Sequence, residues 1–120
     1  MPKLLDLASS NANTTPSFVT TSGMLAKDPF PAMFSLAACK AGQYNLAHSL
    51  HKEFEPQGVH CPVVVVGGAV KDESVVTNAR NIAEETWKVF QQPKHEGKFE
   101  VVLLDPAYLE HVKNRERRSA

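Results

Sequence analysis

The sequence predicts an α/β fold: a partial, doubly wound parallel sheet with helices flanking it. Three observations predict it. Strand-length apolar runs stand at Phe18–Thr21, Val59–Val66 and Phe99–Leu104. Segments with helical periodicity separate them, which gives each pair of strands a helical crossover and so favours parallel pairing. The central run, Val63-Val64-Val65-Val66, is continuous rather than alternating, as expected of a strand covered on both faces.

In chain order, Pro2 to Ser10 carries Leu4, Leu5, Leu7 and Ala8 at helical spacing, with Pro2 suited to a first turn and Asn11 and Asn13 suited to termination. A polar stretch then leads into the β-branched strand Phe18–Thr21, ended by Ser22-Gly23. Met24 to Met33 holds Pro29 and Pro31, which remove amide donors and push the residues before them out of helical geometry, so a loop is expected. Phe34 to Glu55 is proline-free, with Ala37, Ala38, Ala41, Leu46, Leu50 and Phe54 recurring along it, and Pro56-Gln57-Gly58 is its stop. After the second strand, Gly67-Gly68 breaks the run, Lys71 to Thr77 is polar, and Asn78 to Gln92 reads as an amphipathic helix closed by Pro93. The strand Phe99–Leu104 ends at Asp105-Pro106, and Glu110 to Ala120 reads as a charged, frayed tail. The expected organisation is therefore one domain over residues 1–105 and a tail over 106–120.

Composition narrows the function classes. Thirteen basic residues balance thirteen acidic ones, so no field for a nucleic-acid partner is expected. The run Val63–Val66 is far short of the roughly 20 apolar residues a membrane helix needs. No basic segment followed by a long apolar one opens the chain, and a cytoplasmic location is the expectation. Cys39 and Cys61 fall on a helix and a buried strand, where reduced thiols acting as small hydrophobes are expected in place of a disulfide or a metal pair. His48 and His51 lack a third ligand nearby, so no metal site is expected.

Four segments together carry a resemblance: Thr20-Thr21-Ser22-Gly23; Phe34-Ser35-Leu36-Ala37-Ala38-Cys39-Lys40-Ala41; Glu55-Pro56-Gln57-Gly58-Val59-His60; and Val66-Gly67-Gly68-Ala69-Val70. In order and spacing they resemble the carboxyl-terminal half of the Rossmann-type domain of short-chain dehydrogenases/reductases. In that family a serine ends the fifth strand and a Tyr-x-x-x-Lys motif opens the next long helix. A glu-pro-x-gly stretch then leads into the sixth strand, and a Pro-Gly turn follows it.

The resemblance implies catalytic roles for Ser22, which would polarise a substrate carbonyl, and for Lys40, which would hydrogen-bond the nicotinamide ribose and lower a tyrosine pKa. It implies cofactor contacts from Lys40, Gly67, Gly68 and Val70, with NAD or NADP as the cofactor and a small carbonyl or alcohol as the substrate. It also implies a homodimer through helix 34–55, using a weakly polar face of Tyr44, His48 and His51.

Two departures are plain. Leu36 stands four residues before Lys40, where the family has its tyrosine, and a hydrocarbon moves no proton. Gly67-Gly68 stands in place of Pro-Gly. The glycine-rich loop that holds a pyrophosphate is not found in these residues, and the expectation is a domain whose first half is missing. Three readings follow: an oxidoreductase whose complete form transfers hydride, a non-catalytic nucleotide-binding or interaction module that kept the fold, or a truncated product without activity of its own. Taken alone, Ser22 beside a glycine is an ordinary turn serine; Lys40 could be a solvent-directed lysine, but its neighbours Ala37, Ala38, Cys39 and Ala41 are all small, consistent with a ribose or backbone lying close by. The family match gives them meaning.

Overall fold

A computed structural model describes all 120 residues. Helix α1 (Pro2–Ser10) is followed by strand β1 (Thr20–Gly23), helix α2 (Phe34–Phe54), strand β2 (Val63–Gly67), helix α3 (Ala79–Phe90), strand β3 (Glu100–Leu104) and helix α4 (Pro106–Ser119). The strands form one sheet in the order β1-β2-β3, both pairs parallel. The proline-bearing segment between β1 and α2 holds two single 3₁₀ turns, Met24–Ala26 and Pro31–Met33.

The register fixes the two faces of the sheet. Thr20 pairs with Val63 and Val63 with Glu100; Ser22 pairs with Val65 and Val65 with Val102. Residues paired side by side share a face, and residues two apart along a strand share it too. Val63 and Val65 of that face form a core cluster with Ala47 of α2, joined by Met24, Tyr44, Phe99 and Val102. Helix α2 therefore covers the Ser22 face. A second cluster, Ala8, Val59 and Cys61 with Leu4, Leu5, Leu50 and Phe54, ties α1 and the end of α2 to the segment entering β2.

All three strands begin later than their apolar runs do, β3 by one residue only. Phe18 N–H donates to the His60 carbonyl at 2.7 Å and His60 N–H to the Pro16 carbonyl at 2.9 Å, so pairing does start near Ser17, as an isolated bridge to His60. Pro62 has no N–H to offer, which interrupts the ladder and leaves β2 to start at Val63. The end of α2 is as the sequence predicts: Gly58 takes φ +87°, the left-handed geometry that glycine supplies after a helix.

The charged segment expected as a frayed tail is a correction. Residues Pro106–Ser119 form α4, a 14-residue helix, started by Pro106 in its first turn. The reach of Arg115 to Asp28, 2.5 Å between Nη2 and Oδ2, ties it back to the loop after β1.

Candidate functional site

In open parallel sheets, ligands bind beyond the carboxyl ends of the strands. Here that end is built by Ser22-Gly23, Gly67-Gly68 and Leu104-Asp105. Gly23 lies beside Val66, and Gly67 beside Leu104. Ser22 and Gly67 thus stand at the same end of the sheet, and α2, which bears Lys40, covers the Ser22 face.

Ser22 is 9% exposed, and its Oγ is buried without any hydrogen-bond partner. Leaving a buried polar group unpaired costs about 1–3 kcal/mol, so this hydroxyl is energetically out of place in a packed strand. Lys40 is half-buried, and its only polar contact is Gln43 Oε1 at 3.5 Å, the outer limit of a hydrogen bond. Gln43 and Ala47 line a groove with Phe18, Thr20, Leu46 and Leu50 along the unpaired outer edge of β1. Leu36, one turn before Lys40, is 45% exposed.

The two glycines have neighbours of their own. A Cβ on Gly67 would lie 2.5 Å from Leu104 Cδ2 and 3.0 Å from Met24 Cγ. Gly68 has φ +139°, and a Cβ there would meet Asp105 Cβ at 2.7 Å. Both positions demand glycine for internal packing and, at Gly68, for backbone conformation. Val70 is 59% exposed. The small residues around Lys40 also have an internal cause: Ala37, Ala38 and Ala41 line an apolar cavity of about 430 Å³ beneath the loop residues Leu25, Pro29, Phe30 and Pro31.

Three arrangements escape a reading of the sequence. The first is a buried hydroxyl network that pins the loop after β2: Ser74 Oγ donates to Asp105 Oδ1 at 2.7 Å, Thr77 N–H donates to Ser74 Oγ at 2.9 Å, and Thr77 Oγ1 donates to the Ala69 carbonyl at 2.8 Å. The second is a clamp at the other end of the sheet. Tyr44 Oη donates to Glu100 Oε2 at 2.6 Å, and Lys27 Nζ lies 2.8 Å from the same oxygen. Burial and the Glu100 carboxylate raise the Tyr44 pKa, and the phenol is spent on Glu100. The third is buried His60, whose Nδ1 faces Glu55 Oε1 at 2.9 Å and whose Nε2 faces the Gln92 carbonyl at 2.8 Å.

The α2 residues expected at a dimer contact make contacts within the chain. Tyr44 is held by Glu100, and His48 and His51 lie on the Phe99 ring at 4.3 and 5.4 Å between centroids. These three side chains turn inward onto β3. No His, Cys, Asp or Glu cluster of three or more is arranged to hold a metal, and no helix is long and apolar enough to cross a membrane.

No protein-family model matches the chain, and no curated protein matches it. In fold it is similar to the crystal structure of a short-chain dehydrogenase from Rhodopseudomonas palustris, with a TM-score of 0.60 at 21% identity. The match covers 76% of this chain and 39% of that one. The fold is thus α/β and Rossmann-like in part, and the chain spans about two fifths of that neighbour's length.

Proposed function

We propose that the chain is the substrate-side half of a short-chain dehydrogenase/reductase-like oxidoreductase domain, whose complete form passes a hydride between NAD(P) and a carbonyl or alcohol. The observation that carries this reading is the unpartnered, buried Ser22 hydroxyl at the carboxyl end of a parallel strand, beneath the helix that bears Lys40. A hydroxyl kept without an internal partner has an unspent donor, and because its Oγ is buried it can reach a substrate oxygen only if the packing over it opens. Lys40, with one weak contact to Gln43, is a cation free for a second role. The fold of the dehydrogenase neighbour is consistent with both.

The residues present do not fit a dinucleotide by themselves. The six glycines form no Gly-x-x-x-Gly-x-Gly loop, and a Cβ at Gly67 or Gly68 would meet Leu104, Met24 or Asp105, although Gly68 does line a cavity with Met24 and Tyr108. Of the contacts that the family resemblance implies, Lys40 and exposed Val70 remain open to a cofactor supplied by other elements. Leu36 at the acid/base position favours a second reading, an interaction module that kept the fold without proton transfer.

Stability separates a functional serine from a structural one. Replacing Ser22 by Ala removes a hydroxyl that bonds nothing, so the melting temperature is expected to hold or rise, by up to about 1–2 kcal/mol in stability. A clear loss of stability in Ser22→Ala would show the hydroxyl to be part of the scaffold and would remove the main support for the site.

A further inference from the structure

At the carboxyl end of the sheet, α4 and the loop after β1 enclose a trough that Gly68 also lines. Two cavities of about 320 and 370 Å³ share Phe30, His111 and Arg115 and so run into one another along α4. Their two ends differ in chemistry. The first is walled by Met24, Leu25, Met33 and Tyr108. The second is walled by Asn114, Arg118 and Ser119. His111, Arg115 and Arg118 follow one another at helical spacing, so they form one row on one face of α4.

The charges along this row are unequal in their partners. Arg115 is bound to Asp28 at 2.5 Å, and both groups are more than a third exposed, so the pair is open to exchange. Arg118 and His111 are exposed and take part in no ion pair. The basic end therefore carries cationic and hydrogen-bonding capacity with one internal carboxylate to meet it, while the adjoining end offers apolar wall. A guanidinium fork matches a carboxylate in both geometry and charge. Volumes of this size lie at the small end of ligand pockets.

We infer that this trough binds a small amphiphilic carboxylate, its head between Arg115 and Arg118 and its hydrocarbon part over Met24, Leu25 and Tyr108. The head displaces or shares Asp28 at Arg115. The site is formed by α4, the loop after β1 and Gly68, so it adjoins the carboxyl end of the sheet, and its binding test does not depend on hydride chemistry at Ser22.

The test is calorimetric titration of the full chain with decanoate below its micellar range, against decanol and decylammonium as partners of equal length. Saturable binding of decanoate, at least about tenfold tighter than either partner, is expected from the loss of a charge-assisted contact. Arg118→Gln, an exposed change on the last turns of α4, is expected to weaken decanoate about tenfold while leaving decanol unchanged. Arg118→Lys should restore part of the affinity, and Asp28→Asn should tighten binding by freeing Arg115. Equal binding of decanoate and decanol, no binding of decanoate, or indifference to Arg118→Gln in a variant with unchanged circular dichroism would each overturn the inference.

Discussion

Cys61 sits between His60 and Pro62 on the segment entering β2, packed with Ala8 and Val59. Burial, with the Glu55 charge adding to it, pushes its thiol up to about 11. Thiolate is the reactive form, so Cys61 is expected to be inert at neutral pH while exposed Cys39 reacts. An aromatic disulfide reagent should titrate one thiol in the native chain and the second only after denaturation; two fast thiols would contradict this packing. Ser74 offers a second test at the same scale. Its hydroxyl donates to Asp105 and accepts from Thr77, and Ser74 and Thr77 are 6% and 0% exposed. Ser74→Ala leaves a buried carboxylate oxygen and a buried N–H short of partners, and a loss of about 1–3 kcal/mol is expected by thermal melting. A neutral substitution would mean that the loop from Ala69 to Thr77 is held by something else.

Between elements, the clamp of Lys27, Tyr44 and Glu100 fastens the loop after β1 and helix α2 to the start of β3. Burial alone would raise the Glu100 pKa, but hydrogen bonds from Lys27 and Tyr44 and the Lys27 charge outweigh it and hold the carboxyl below its ordinary value of 4.5. A depressed carboxyl contributes stability that is fully present above the ordinary value and is lost as pH falls through the lower, folded value. Acid melts should therefore lose stability below about pH 4.5, and Glu100→Gln should flatten that part of the profile; an unchanged acid limb would refute the clamp. None of this was legible in the sequence, because Lys27, Tyr44 and Glu100 are far apart along the chain and no motif joins them. The elements were legible where periodicity rules: α1 and α2 fall within a residue of their sequence-based bounds, and all three strands are parallel as their crossovers require. Strand starts were less so, since Pro62 silently removes a ladder donor. Helix α4 was missed because its apolar residues, Tyr108, Leu109 and Val112, are confined to its first half, and the charged run from Lys113 to Arg118 follows. Ser22 and Gly67 come to one end of the sheet, as parallel pairing requires, and a Cβ at Gly67 or Gly68 would meet Leu104, Met24 or Asp105.

Across the whole molecule, 20 of 120 residues are buried, and the chain extends 55 × 29 × 19 Å with a radius of gyration of 16.4 Å. A compact domain of this length would have roughly 13–14 Å. The outer edge of β1 is unpaired, and Phe18 and Leu46 beside it are 49% and 61% exposed. An unpaired parallel edge with apolar neighbours invites a further strand. Under the proposed function, the substrate-side residues lie in this chain and the phosphate-holding elements in a further part of the domain. Calorimetric titration of the purified chain with NADH and with NADPH tests this division most directly. No saturable heat is expected at millimolar dinucleotide, because backbone amides of a glycine-rich loop at a helix terminus supply pyrophosphate affinity and these residues form no such loop. Saturable binding of either dinucleotide by the chain alone would contradict the account.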